Sequence, residues 1–281
     1  DPVVAGRVPY FYAPPHEGGE RTPGVFLTGG TPDRHLMPAL RWMAGELGVG
    51  RWFVVGGDDV WPRASTHAAR AFARRSPDVR VLGEAFVPLG TKDFDAVLRR
   101  VRRSGAQGVL TFLVGSDAVA FHRAFARAGL DRSRVRLSPL TDENTLLAAG
   151  SENSRELYAV AGYFEALATP AALEFAARYD RRLGPTAPVL NSPGESCYEG
   201  LVLFGMLAAR AGSLRPERLA GATGSLTYES PRGTVHMRGN HLLHRVHLAR
   251  SDGLRFEVVA LLPERPDDEG LTGTSERHSL N

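Results

Sequence analysis

The sequence predicts an α/β protein built around a doubly wound parallel sheet. Within residues 51–162, apolar runs of strand length alternate with stretches whose apolar residues have helical spacing. The predicted elements are, in order, strand 52–55, helix 64–75, strand 79–87, helix 94–104, strand 108–113, helix 118–128 and strand 135–137. Such alternation is typical of βαβ units, whose parallel sheet is covered on both faces. Residues 51–162 are therefore expected to form one α/β lobe.

The opening of the chain predicts two short buried strands and a helix. Residues 8–12 and 25–28 are apolar runs separated by a loop rich in proline and glycine at residues 13–24. Residues 31–47 carry apolar positions spaced for one face of a helix, and Asp33 is placed to cap its first turn.

The pattern changes after Tyr163 to two successive helices and a strand-rich end. Helices are predicted at residues 170–183 and 195–211, the second burying Leu201, Phe204 and Leu207. Short strands follow at 234–237, 243–248 and 256–261, and residues 263–281 form a polar tail.

The composition indicates an ordinary globular protein and argues against several classes of function. Of the 281 residues, 43% are hydrophobic and 23% charged, with a formal net charge of +3. The arginines lie on helices between apolar positions, as at 99–103, so no basic stripe for nucleic acid is expected. A single cysteine, Cys197, cannot form an intrachain disulfide. No apolar run has membrane-spanning length, so no membrane insertion is expected.

No motif for a cofactor, metal or catalytic nucleophile is present. Neither common glycine-rich phosphate loop occurs, and Ser196 lacks the surroundings of a hydrolase nucleophile. Four histidines crowd into the last part of the chain, and we interpret them as surface or edge-strand residues rather than metal ligands. They are His236, His241, His244 and His247. The sequence therefore predicts neither a cofactor nor a metal.

Polar and aromatic residues follow several predicted strands. They are Tyr12, Asp59, Trp61, Ser116, Asp117, Thr141, Asp142 and Glu143. Ligands of open α/β sheets bind at the carboxyl ends of the strands, so these side chains are expected to meet in one crevice. The acidic residues have a second interpretation, because each also precedes or begins a predicted helix and is suited to capping it.

Several of these segments resemble one protein family. Residues 12–18 (YAPPHEG), 56–65 (GGDDVWPRAS), 163–170 (YFEALATP) and 230–233 (SPRG) are similar, in family order, to segments of type I periplasmic solute-binding proteins of the amide-receptor and urea-binding branch. The resemblance covers nearly the whole chain.

The resemblance implies a two-lobed type I periplasmic-binding-protein-like fold. The first lobe is expected from residues 1–38 and 163–262, and the second lobe from residues 39–162. Residues 2–4 resemble the end of a first-lobe helix, so the first lobe is expected to be incomplete and to lack its earlier part.

The resemblance also implies a ligand-binding set. Its members are Tyr12, Pro14, Asp59, Trp61, Val114, Thr141 and Asp142. Tyr12 is expected to stack on the ligand or hydrogen-bond to it from the first lobe, Trp61 to cover it from the second, and Thr141 to hydrogen-bond to it. Asp59 replaces a tyrosine that contacts the ligand in the family. A buried carboxylate needs a cation or several donors, which favours a ligand with an ammonium, an amidine or several N–H groups.

The expected function is reversible capture of a small polar, nitrogen-containing solute between lobes that close by hinge motion. The solute is an amide, a urea, an amino acid or an amine, and the partner is an ABC permease or a regulatory protein. An ABC permease as partner implies an extracytoplasmic location if a leader precedes this sequence. A regulatory protein as partner implies a cytoplasmic sensor. An amidase that uses Ser116 and Asp117 is the enzymatic alternative, but no histidine follows a strand to serve as its base. A third alternative is that this chain binds nothing.

Overall fold

Two β-sheets organise the protein, and the computed structural model describes residues 8–263. The strands are β1 (Tyr10–Tyr12), β2 (Val25–Leu27), β3 (Arg51–Gly57), β4 (Arg80–Val87), β5 (Gly108–Phe112), β6 (Val135–Ser138), β7 (Leu157–Ala161), β8 (Thr227–Ser230), β9 (Gly233–Arg238), β10 (His241–Leu243), β11 (Val246–Ser251) and β12 (Phe256–Leu262). The helices are α1 (Pro32–Leu47), α2 (Val60–Ala73), α3 (Asp95–Arg103), α4 (Gly115–Arg127), α5 (Glu143–Ala149), α6 (Pro170–Leu183), α7 (Ser192–Ala211) and α8 (Pro216–Gly221). Short 3₁₀ turns lie at Leu130–Arg132 and Ser151–Asn153.

The larger sheet has seven strands in the order β12-β11-β7-β6-β5-β3-β4. Strands β3 to β7 are parallel, whereas β11 and β12 add an antiparallel edge. Side chains of β3 alternate between two cores: Trp52 packs with α1 and α2, and Phe53 packs with α3 and α4. The predicted α/β fold with a parallel sheet covered on both faces is confirmed.

The smaller sheet has five strands in the order β1-β2-β10-β9-β8. Strands β1, β2 and β10 are parallel, and β9 and β8 are antiparallel neighbours. Helix α7 covers this sheet by packing Leu203 and Leu207 against Phe26 and Val235. Leu201, predicted to be buried, is 73% exposed because it lies on the opposite side of the helix from Leu203.

Within residues 8–263, the chain passes between the two sheets three times. The first crossing follows β2, the second lies between β7 and α7, and the third lies between β10 and β11. The prediction of one strand at 243–248 is wrong, because the chain leaves the smaller sheet after Leu243 and enters the larger one at Val246. Apolar residues lie on both sides of this break, so hydropathy alone does not show it.

The sheets also correct the expected lobe boundaries. Strands β11 and β12 belong to the larger sheet with β7, although residues 163–262 were expected in the first lobe. All of α1 packs on the larger sheet, so the second lobe begins before residue 39. Residues 2–4 and the predicted tail beyond Pro263 lie outside the described residues.

Candidate ligand-binding cleft

Two adjoining cavities lie at the carboxyl ends of the strands. The large cavity has a volume of about 890 Å³ and the small cavity about 450 Å³. Both are lined by Pro14 and Pro15, which follow β1, and by Val114 and Leu140, which follow β5 and β6. Because these shared residues come from both lobes, the two cavities form one cleft between them.

Of the expected ligand residues, Pro14 and Val114 lie in the cleft wall, whereas Tyr12 does not. Pro14 and Val114 line both cavities. Tyr12 lines neither cavity and lies at the end of β1 with its ring 6.1 Å from that of Tyr10. Burial, with a smaller contribution from Glu17, raises the pKa of Tyr12 above its ordinary value.

Asp59 and Trp61 line the small cavity together, where β3 gives way to α2. Asp59 is exposed and its Oδ1 accepts a hydrogen bond of 2.7 Å from the backbone N–H of Val60 at the start of α2. This cap explains why the helix begins at Val60 rather than at the predicted residue 64. The Trp61 ring packs edge-on against Phe112 at 5.6 Å, and its buried Nε1 has no hydrogen-bond partner among the described residues.

Thr141 lines the large cavity and is held by a buried histidine. The Nη1 of Arg136 lies 3.1 Å from Nδ1 of His122, and Nε2 of His122 lies 3.3 Å from Oγ1 of Thr141. Burial, assisted by Arg136, lowers the pKa of His122 well below its ordinary value, so the ring is neutral. Arg136 donates to Nδ1, so Nε2 carries the proton and donates to Thr141. The Thr141 hydroxyl is left with its own hydrogen to donate.

Asp142 also lines the large cavity, but both of its carboxylate oxygens have partners in the protein. Oδ1 accepts from the N–H of Thr145 at 2.8 Å and caps α5, whereas Oδ2 accepts from Nδ2 of Asn191. Next to it, Glu143 accepts from the N–H of Glu165 at 2.9 Å. Burial raises the pKa of Glu143 to about 7. The first turn of α5 therefore serves structure as well as the cavity wall.

A buried ionic cluster lies under the first-lobe side of the large cavity. Arg232 forms an ion pair with Glu195 and donates to the hydroxyl of Ser196 at 2.7 Å and to the carbonyl oxygen of Thr28 at 3.0 Å. Burial raises the pKa of Glu195; Arg232 opposes this shift, and Glu199 adds to it. Arg232 and Ser196 line the cavity, although neither was expected there.

The inner end of the large cavity holds further residues that the sequence did not identify as part of the site, notably His35, Tyr163 and His244. His244 is only 6% exposed, and His236 and His247 are also buried, so their expected surface location is wrong. Tyr163 follows β7, which is not among the predicted strands. The rule that ligands bind at the carboxyl ends of strands, called the strand-end rule below, identifies Tyr163 once β7 is known. Nothing in the local pattern distinguishes His35 from its helical neighbours.

Residues 8–263 contain neither a candidate metal site nor a candidate membrane span. No group of three or more histidine, cysteine, aspartate or glutamate side chains in that range is arranged to hold a metal ion. No helix in the same range has the length and apolar character needed to cross a membrane.

Comparisons with known proteins give a consistent result. Residues 1–254 match the sequence profile of the periplasmic binding protein family. The Leu/Ile/Val-binding protein homolog 6 of Brucella melitensis is 29% identical over 196 residues, which cover 66% of this chain and 50% of the relative. The protein of the same name from Brucella abortus is also 29% identical with the same coverage. The chain thus spans about half the length of the curated relatives it matches.

Solved structures match the fold at lower identity. A solute-binding protein of an ABC transporter from Rhodopseudomonas palustris, in complex with p-hydroxybenzoic acid, has a TM-score of 0.81 at 19% identity and covers 94% of this chain and 74% of that chain. An ABC transporter substrate-binding protein from Sphaerobacter thermophilus has a TM-score of 0.81 at 20% identity and covers 93% of this chain and 75% of that chain.

Proposed function

Because the chain belongs to the periplasmic binding protein family, we propose that it binds a small organic solute reversibly between its lobes and performs no chemistry on it. The observation that carries this proposal is the cleft itself, since residues from both lobes line a cavity of about 890 Å³. Three chain crossings between the lobes suit a hinge that closes over the solute.

The walls of the cleft support a solute with an apolar body. Pro14, Pro15, Val114 and Leu140 line both cavities, and Trp61 adds an aromatic face to the small one. Cavities of about 300–1,000 Å³ hold drug-sized organic molecules, so the large cavity accommodates much more than urea or acetamide. A ring or a branched side chain fits this space. The Leu/Ile/Val-binding name of the Brucella relatives and the p-hydroxybenzoic acid of the Rhodopseudomonas protein agree with such a body.

The polar groups of the cleft support a nitrogen-bearing head on that solute. Asp59 and Glu143 line the cleft. Carboxyl oxygens accept hydrogen bonds, so these two side chains suit the N–H groups of a solute. We therefore assign amino acids with apolar side chains as the first candidates, with neutral amides as the second. Delivery of the solute to an ABC permease is the accompanying proposal for a partner.

A thermal-shift screen of the 281-residue chain tests this function. The panel is leucine, isoleucine, valine, threonine, phenylalanine, tyrosine, benzoate, 4-hydroxybenzoate, acetamide and urea. A bound solute is expected to raise Tm, because a ligand at 100 times its Kd stabilises the folded state by about 2.7 kcal/mol. Binding of acetamide or urea alone contradicts the apolar body, and a silent panel contradicts the function.

Tryptophan fluorescence locates the bound solute. Trp61 lies in the cleft, whereas Trp52 is buried in the core of the larger sheet. The emission change on binding is expected to disappear in Trp61→Phe and to persist in Trp52→Phe. Persistence in Trp61→Phe places the solute elsewhere, and release of ammonia from the amides shows an enzyme.

A further inference from the structure

Two buried polar side chains at the inner end of the large cavity have no partner. Nδ1 and Nε2 of His35 and the hydroxyl of Tyr163 are buried and make no hydrogen bond with any described residue. His35 is 5% exposed and Tyr163 is fully buried, and both line the large cavity. A buried polar group without a partner costs about 1–3 kcal/mol, so native proteins provide a partner from protein, water or ligand.

Glycines make room for this arrangement. A Cβ atom on Gly30 would lie 2.1 Å from Nε2 of His35, and one on Gly162 would lie 2.6 Å from the ring of His244. The rings of His35 and His244 pack edge to face at 5.6 Å. Any larger residue at either glycine displaces these rings. Both histidines lie beside chain crossings between the two sheets.

Tyr163 is packed against an aromatic ring. It follows Gly162 directly, and its ring packs edge to face against Phe175 at 6.0 Å. Its hydroxyl is thus presented by a packed ring rather than by a flexible side chain.

Both side chains are neutral at neutral pH. Burial, assisted by Arg232 and Arg34, lowers the pKa of His35 to about 3. Burial, assisted by Glu143, raises the pKa of Tyr163 far above its ordinary value. His35 therefore presents one ring N–H donor and one ring nitrogen acceptor, and Tyr163 presents an O–H group. Neither provides a countercharge, so the group they match is neutral and both donates and accepts hydrogen bonds.

We propose that His35 and Tyr163 form an inner subsite that binds a neutral hydroxyl group of the solute. This inference rests on the proposed function and deepens it, because it predicts which solutes the cleft selects. A site that hydrogen-bonds a hydroxyl rejects the analogue without it, since the polar groups of the site are then left unpaired.

Matched pairs of solutes test the subsite by isothermal titration calorimetry. The pairs are threonine and valine, tyrosine and phenylalanine, and 4-hydroxybenzoate and benzoate. In every pair that binds, the hydroxyl-bearing member is expected to bind at least about tenfold more tightly. Tyr163→Phe and His35→Leu are each expected to reduce this preference to about threefold or less. Tyr158→Phe is the control, because Tyr158 lies on β7 outside the cleft.

Stability provides a readout that needs no ligand. Removal of the Tyr163 hydroxyl breaks no hydrogen bond with a described residue, so ligand-free Tyr163→Phe is expected to keep or raise Tm. A fall of several degrees shows a partner inside the protein and overturns the subsite. His35→Leu gives an independent second variant.

The outcomes separate the subsite from the function. If solutes bind but no hydroxyl-bearing member is preferred, or the preference is unchanged in both variants, water alone occupies this end of the cavity and the subsite is overturned. The receptor function then stands. If no solute of the panel binds, the proposed function fails and the subsite fails with it.

Discussion

Asn191 donates a hydrogen bond of 2.5 Å from its Nδ2 to Oδ2 of Asp142 and thereby joins the N-terminal caps of two helices in different lobes. Asn191 caps α7, and Asp142 caps α5. Two residues after Asp142, the side-chain amide of Asn144 donates to the carbonyl oxygen of Val189 and accepts from its N–H, at 2.8 and 3.1 Å. The start of α7 and the segment just before it are therefore fastened to the first turn of α5.

A double-mutant cycle measures this link between the lobes. Asp142→Ala and Asn191→Ala are expected to show a coupling energy of about 0.5–1.5 kcal/mol in urea unfolding, because the hydrogen bond is lost only once. Thr169→Ala is the control, since Thr169 caps α6 by accepting from Ala172 but is not bonded to Asn191. Its effect is expected to add to that of Asn191→Ala. Additive energies for Asp142 and Asn191 would show that the contact carries no coupling.

The buried ion pair of Arg232 and Glu195 predicts a large loss of stability. Arg232→Leu is expected to lower the free energy of unfolding by about 3–5 kcal/mol, because it leaves a buried carboxylate without its partner. Adding Glu195→Leu is expected to recover part of this loss. Arg63→Leu breaks the exposed pair with Asp58 and is expected to cost about 1 kcal/mol or less. A loss for Arg232→Leu no larger than that for Arg63→Leu contradicts the prediction.

His35 predicts a loss of stability in acid. Its pKa in the folded state is about 3, below the ordinary value of 6.5, so the unfolded state binds more protons between these values. The stability it contributes is fully present above about pH 6.5 and is lost as pH falls towards 3, at up to about 1.4 kcal/mol per pH unit. His244 and His16 face the same region, and their pKa values are lowered too, so some acid sensitivity persists in the variant.

His35→Leu isolates this effect. Chemical unfolding at a series of pH values between 6.5 and 4 is expected to show a shallower slope for this variant than for the wild type. His67→Gln, a change at an exposed position of α2, is expected to leave the slope unchanged. Equal slopes for His35→Leu and the wild type would mean that His35 is protonated alike in both states.

Asp59 has a capping role and a proposed ligand role, which different substitutions separate. As the cap of α2, Asp59→Asn is expected to change stability by less than about 0.5 kcal/mol and Asp59→Ala to cost about 1 kcal/mol. As a charge in the cleft, it is expected to favour leucinamide over 4-methylpentanamide, the same amide without the ammonium group. Asp59→Tyr is expected to reduce this affinity ratio about threefold or more. An unchanged ratio confines Asp59 to the capping role.

Local patterns predicted several individual strands and helices but not how strands far apart in the sequence pair. Strands β3 and β5 and helices α3 and α4 are visible in the sequence because each contains its own apolar period. The pairing of β11 with β7 is not visible in the sequence, because the register that joins Ala249 to Ala159 depends on residues far apart along the chain. The same limit applies to the predicted strand that the structure divides between Leu243 and Val246.

The cleft shows the same division between local and distant information. The strand-end rule placed Trp61, Thr141 and Asp142 on the cleft, because it depends only on where a strand stops. Arg232 and Glu195 meet only through tertiary structure, and helical periodicity gives Glu195 no sign of its burial. Sequence therefore indicated the rim of the cleft but not its inner end.

The order of the strands along the chain has a consequence for biosynthesis. The edge of β7 gains its neighbour only when β11 has been made, and β2 must likewise wait for β10. Between β7 and β11, residues 162–245 must be translated, which takes about 4 to 17 seconds at about 5–20 residues per second. During that time the nascent chain exposes an apolar strand with unpaired backbone groups, which invites pairing with other chains. Neither lobe can complete its sheet before β10 and β11 have been translated. Both lobes are therefore expected to depend on chaperones until then.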